Sequence, residues 1–248
     1  MAAIEMLKGM ISDAGSIVAF TGAGISTESG IPDFRSPGGI WTRMKPIQFG
    51  DFLASAEQRR ESWRRKFVSE DTMRSATPNA GHRALARLHE QGKLLALITQ
   101  NIDGLHQASG VPDDAIIELH GNGTYASCLQ CAKRYELEWV RGIFAQDERL
   151  PVCQSCAGII KTATISFGQA MPEAAMERAH AATSRADLFI VLGSSLVVYP
   201  AAGFPILAKR SGANLVIVNR EPTDMDEIAD LVINAEIGAT MSRAVGVN

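Results

Sequence analysis

The chain has 248 residues, a formal net charge of −3 at neutral pH and 46% hydrophobic residues. That length buries a sizeable core without disulfides, and the charge balance excludes a basic field for unspecific nucleic-acid binding. Glu5, Lys8 and Asp13 break up the apolar residues of the first fourteen positions, which excludes a signal-peptide core, and no apolar run reaches membrane-spanning length, so a cytoplasmic protein with no membrane partner is expected.

Residues 3–14 predict a short amphipathic helix ended by Asp13-Ala14-Gly15, and Ser16-Ile17-Val18-Ala19-Phe20 reads as a buried strand. The Gly-rich turn Thr21-Gly22-Ala23-Gly24-Ile25-Ser26 follows, then a long Gly/Pro loop over 31–50. A charged helix is expected over 52–75, where Arg59, Arg60, Arg64, Arg65 and Lys66 read as a solvated face. A helix from Asn79 to Gln91 leads to a second buried strand, Leu94 to Thr99, and Ile116 to Gly121 reads as a short strand. After the cysteine region at 122–160 come helix 172–184, strand 187–192, helix 200–210, strand 214–218 and a last strand near 231–234. Strands alternate with helices and are continuously apolar, so the fold class expected is α/β, a parallel sheet with helices on both faces. The cysteine segment interrupts that alternation and is placed as an insert.

Gly22-Ala23-Gly24 directly after a strand suits a nucleotide, because ligands of open α/β sheets bind at strand carboxyl ends and glycines let the backbone approach a pyrophosphate. A tight turn without a ligand has the same sequence. The dehydrogenase pattern calls for a third glycine where Thr27 stands, and an acid about 20 residues on, where the Gly/Pro loop falls. Hydride-transfer wiring is therefore not expected. Cys128-Leu129-Gln130-Cys131 and Cys153-Gln154-Ser155-Cys156 are two Cys-x-x-Cys knuckles 21 residues apart. Four thiolates close a tetrahedral shell around one structural zinc with no open position for water; a redox pair or buried thiols are the other readings. Polar groups gather at three strand ends: Gln100-Asn101-Ile102-Asp103-Gly104-Leu105-His106, His120-Gly121 and Gly193-Ser194-Ser195. Converging there, they suggest a ligand, and a histidine beside it serves either as a general base or as a hydrogen-bonded support.

These residues carry a resemblance. Gly22 to Ser26 and Ser29-Gly30-Ile31-Pro32-Asp33-Phe34-Arg35 resemble the cofactor loop of the sirtuins, and Thr99 to His106 resembles their nicotinamide and ribose motif. His120-Gly121, both cysteine pairs, Phe167-Gly168, Gly193-Ser194-Ser195-Leu196 and Val218-Asn219 follow in that family's order, from about residue 3 to 243. The resemblance implies a bacterial-type NAD-dependent protein-lysine deacylase. A Rossmann-like domain (1–36, 76–121 and 166–248) would carry NAD beside a small domain made of a helical insert (37–75) and a zinc ribbon (122–165). The acyl oxygen of the substrate lysine would attack the nicotinamide ribose, nicotinamide would leave, and an alkylamidate would form. His120 would then act as general base on a ribose hydroxyl, and water would release lysine and O-acyl-ADP-ribose.

The same resemblance implies the binding residues. Asn101 and Asp103 would hold the nicotinamide end, with Ile102 beside the ring and Gln100 on ribose hydroxyls. Gly22, Ala23, Gly24 and Arg35 would face the pyrophosphate, with Asp33 in the same loop and Phe34 covering the nicotinamide pocket. Gly193, Ser194 and Ser195 would meet phosphate or ribose oxygens, and Asn219 and Glu221 the adenosine ribose. The acyl-lysine peptide would add as a strand against Thr164 to Gly168, with Ile165, Phe167, Gly168 and Val198 as its contacts. Lys161-Thr162 and Gly168-Gln169 depart from the family's usual Arg/Lys-Pro and Phe-Gly-acid, which bears on substrate preference. The desuccinylase Tyr-x-x-Arg pair is matched only by Ser62-Trp63-Arg64-Arg65, so an acetyl or another uncharged acyl group is expected. Protein ADP-ribosylation from the same NAD pocket and a non-enzymatic NAD sensor are the alternatives. Neither the protein substrate nor the oligomeric state is legible.

Overall fold

The computed structural model describes residues 2–34, 39 and 44–247. Among the described residues nine strands run in chain order as β1 (Ile17–Thr21), β2 (Leu94–Thr99), β3 (Ile116–Glu118), β4 (Gly121–Cys128), β5 (Arg134–Glu136), β6 (Ile160–Thr164), β7 (Leu188–Leu192), β8 (Asn214–Val218) and β9 (Leu231–Ile233). Six of them form one sheet in the order β3-β2-β1-β7-β8-β9, with every pairing parallel. The order reverses between β1 and β7, which places the switch point of the sheet at the ends of those two strands.

Both central strands are buried along their whole length, as their unbroken apolar sequences require. Alternate residues serve opposite cores. Ile17, Ala19, Ile190 and Leu192 pack with Leu7 and Ile11 of α1 (Ala2–Asp13) and with Leu85 and Leu88 of α4 (Ala80–Glu90). Val18, Phe20, Phe189 and Val191 pack with Ala179 of α7 (Glu173–Thr183) and with Phe204 and Ala208 of α8 (Phe204–Arg210). No helix among the described residues is long and apolar enough to cross a membrane.

Four local features differ from the expectation. The charged helix is two helices, α2 (Phe49–Ala54) and α3 (Ala56–Ser75), because Ser55 leaves helical geometry and its Oγ caps α3 at Gln58 N–H. The expected helix over 200–210 opens with a single 3-10 turn, Ala201–Gly203, before α8. A helix absent from the sequence reading, α9 (Ile237–Val245), packs on α4 and buries Ile237, Thr240, Met241 and Ala244, a helical spacing that is visible in hindsight. The short strand expected over 116–121 is divided between two sheets. β3 stops at Glu118, and β4 starts at Gly121 in a three-stranded antiparallel sheet of order β5-β4-β6, which with α6 (Leu137–Phe144) makes up the cysteine-bearing region. His120 lies at that transfer.

Candidate active site

The turns after β1 and β7 are packed backbone to backbone. Gly24 N–H donates to the Gly193 carbonyl at 2.8 Å, and a Cβ on Gly22 would stand 2.6 Å from that same oxygen. Gly193, at φ +67°, has no room either: its Cβ would meet Ile25 N at 2.4 Å. The glycines of this cradle are thus required by the contact between the two turns, which engages Gly24 N–H on the Gly193 carbonyl and Gly22 N–H on the Leu192 carbonyl.

Above this cradle lies a cavity of about 790 Å³. Its walls hold Gly22, Ala23, Gly24, Asp33 and Phe34 from the first turn and loop, and Gln100, Asn101, Ile102 and His120 from the ends of β2 and β3. Gly193, Ser194, Ser195, Asn219 and Glu221 line it from the ends of β7 and β8, and Ile165, Phe167, Gly168 and Val198 from the far side. Asp103 does not line it. Its carboxylate accepts from Ser26 Oγ at 2.7 Å and from Leu105 N–H at 2.9 Å, and Asn101 Nδ2 donates to the same Ser26 oxygen at 3.2 Å. Asp103 therefore stands behind Asn101, joined to it through Ser26, a residue the motif reading passed over. Arg35 lies outside the described residues.

His120 is half buried, and its Nδ1 is 3.1 Å from the Gln100 carbonyl. A carbonyl only accepts, so Nδ1 carries the hydrogen and Nε2 keeps the lone pair. Burial pulls the imidazole pKa below its ordinary value, with the carbonyl bond acting the other way. The Gln100 side-chain oxygen accepts from Ser194 Oγ at 2.7 Å, which aims its NH2 group elsewhere. Among the described residues two guanidiniums also line the cavity. Arg65 donates to Glu61 at 2.6 Å and to the Lys45 carbonyl at 2.7 Å. Arg220 is held by both oxygens of Glu236 at 3.0 and 2.9 Å, at the rim beside Asn219 and Glu221. Arg220 and Glu236 were not anticipated, although Arg220 sits between two residues that were.

The segment Thr164 to Gly168 is anchored on both sides: Ile165 N–H donates to the His120 carbonyl, and Phe49 N–H to the Phe167 carbonyl, each at 2.8 Å. Lys161, buried in β6, donates to the Thr164 carbonyl at 2.5 Å, and burial lowers its pKa to about 8. Outside the cavity lining, the Sγ atoms of Cys128, Cys131, Cys153 and Cys156 all lie within 4.8 Å of one another. Thiolates at about 2.3 Å from a tetrahedral zinc stand about 3.8 Å apart, so the set fits that metal. Tyr135 Oη donates to Cys153 Sγ at 3.2 Å, in keeping with an outer shell around a metal.

The Sir2 family profile matches residues 22–200. The chain is 61% identical over 243 residues to NAD-dependent protein deacetylase 1 of Bradyrhizobium diazoefficiens, covering 98% of this chain and 95% of the relative. It is 59% identical to the NAD-dependent protein deacetylase of Rhodopseudomonas palustris, covering 98% and 96%. Among solved structures, a Sir2 protein with a deacetylated p53 peptide and 3'-O-acetyl ADP ribose superposes with a TM-score of 0.88 at 38% identity, covering 98% of this chain and 97% of that one. A Sir2 complex with a p53 peptide and NAD+ superposes with a TM-score of 0.85, also at 38% identity and with the same coverage.

Proposed function

The chain belongs to the Sir2 family, and from that membership we propose how its cavity removes acetyl groups from protein lysines with NAD as co-substrate. The protein is an NAD-dependent protein deacetylase with a structural zinc site. NAD brings a ribose whose bond to nicotinamide can be broken and whose hydroxyls can take the acyl group.

The chain's own residues supply the surroundings. His120 is the general base: Nε2, neutral and bearing its lone pair, takes a proton from a ribose hydroxyl. Gln100, its oxygen engaged by Ser194, offers NH2 to the ribose. Asn101 and Ile102 hold the nicotinamide end, and Asp103 acts there through Ser26 and Asn101. The Ala23 amide takes the pyrophosphate with Arg35 and Ser195, and Gly22, Gly24 and Gly193 allow its close approach because they carry no side chains. Asp33 and Phe34 close the nicotinamide side, and Asn219 and Glu221 take the adenosine ribose. Ile165, Phe167, Gly168 and Val198 receive the acyl-lysine peptide as an added strand. In this division residues 1–36, 76–121 and 166–248 form the NAD-binding domain, and 37–75 with 122–165 the small domain. Glu61 and the Lys45 carbonyl already engage Arg65, which supports an uncharged acyl group over an acidic one.

The reading rests on the His120–Gln100 contact, which fixes the tautomer a base needs. Incubation with NAD and an acetylated peptide yields nicotinamide and O-acetyl-ADP-ribose. His120→Ala lowers that yield by about 100-fold or more. An unchanged yield rejects His120 as base, and label from NAD appearing on protein instead favours ADP-ribosyl transfer.

A further inference from the structure

Behind His120 stands a polar clasp that does not line the cavity. Glu118 ends β3 and Asn122 is the second residue of β4, so they flank His120 and Gly121 where the chain leaves one sheet for the other. Asn122 Nδ2 donates to Glu118 Oε1 at 2.7 Å across that turn. Gln107 Nε2, from the short helix α5 (Leu105–Ala108) that follows Asn101-Ile102-Asp103, donates to the same oxygen at 2.8 Å. The Asn122 amide oxygen accepts from Thr124 N–H at 2.8 Å and from Thr124 Oγ1 at 2.6 Å. Gly123 N–H donates to the Ile102 carbonyl at 2.7 Å. Three segments are thereby tied together: the nicotinamide-side loop, the end of β3 and the start of β4.

The clasp is placed to set the base. Asn122 is buried, so its amide and the carboxylate it meets need each other's bonds. The turn has no slack, since Gly121 sits at φ +71° and a Cβ there would lie 2.1 Å from the Ala163 carbonyl oxygen. The backbone of Leu119 and His120 is pinned to Thr99 and Ile165, and the imidazole reaches Gln100 only from that backbone. Any change in the turn moves the ring.

We propose that Asn122, through its bond to Glu118, is a positioning residue that holds the His120 turn so that Nδ1 stays on the Gln100 carbonyl and Nε2 stays toward the cavity. The proposal rests on His120 being the base. Asn122 does not line the cavity, so it acts through His120 rather than on the substrate.

Asn122→Asp tests it, because it keeps the shape and the acceptor for Thr124 but sets a second carboxylate against Glu118. Deacetylation kcat falls by about 10- to 100-fold, the cost of a misplaced catalytic group. KM for NAD and the exchange of labelled nicotinamide into NAD stay within about 3-fold, since loss of nicotinamide calls for no base. Without NAD, nitrogen NMR of the imidazole shows the Nδ1–H form of His120 in the wild type and a mixture of tautomers in Asn122→Asp. The double variant Glu118→Gln/Asn122→Asp moves the carboxylate across the turn and restores a donor facing an acceptor, with the Gln107 amide turned over so that its oxygen accepts the second N–H of the new glutamine, and its kcat returns to within about 3-fold of wild type. His120→Ala is run beside them. If it still deacetylates, the base assignment itself falls. If it is inactive while Asn122→Asp works at full rate, or if exchange falls as far as deacetylation with no recovery in the double variant, the role of Asn122 is overturned.

Discussion

One bond decides what His120 can do. With Nδ1–H given to a carbonyl, Nε2 has only a lone pair to offer, and burial keeps the ring neutral. A base must be neutral to act, so its depressed pKa in the ligand-free site extends activity toward acid: kcat/KM stays level as pH falls through the ordinary histidine value of about 6.5 and drops only below it. A pH profile of kcat/KM from about pH 5 to 8, at NAD and peptide well below saturation, checks this; an acid limb centred at or above about 6.5 contradicts it. That His120 and Asn101 meet at one cavity and that the four cysteines cluster was legible because each is a chemically distinctive residue in a fixed spacing. Ser26 was not, since a serine in a Gly-rich turn looks like turn chemistry until the fold brings it to Asn101 and Asp103. The glycines were legible as glycines but not for their main reason, because Gly22 and Gly193 are 171 positions apart and meet only in the folded sheet.

At the scale of elements, β1, β2, β7 and β8 could be read because strands buried on both faces leave unbroken apolar runs. The division of 116–121 between two sheets could not, because Leu119 and His120 continue the apolar-polar run without a break and only the positive φ of Gly121 turns the chain. α9 was missed because it follows the last strand and no motif drew the eye to its spacing. The antiparallel sheet was hidden for another reason: its strands are short and mixed, and the cysteines dominate the segment. Zinc on the four cysteines is expected to hold that sheet. Assay finds about one zinc per chain, and chelation speeds amide hydrogen exchange in β4, β5 and β6 while β1 and β7 stay protected. Absence of zinc, or exchange unchanged in β4 to β6, contradicts the metal's structural role.

For the whole molecule, the α/β class followed from alternating strands and helices, and the strand order of the sheet adds where a ligand belongs. The β1/β7 switch point, the ends of β2 and β3 and the segment after β6 all open on one cavity. No sequence window spans those pieces, so only a family resemblance could join them in advance. The proposed function requires one cavity to hold NAD with an imidazole against its ribose. A crystal structure of the protein with NAD and an acetylated peptide tests it most directly. The nicotinamide ribose is expected beside His120, with Nε2 within about 3.2 Å of a ribose hydroxyl. NAD bound there with the His120 ring turned away from the ribose, or NAD bound outside the cavity, would contradict the account.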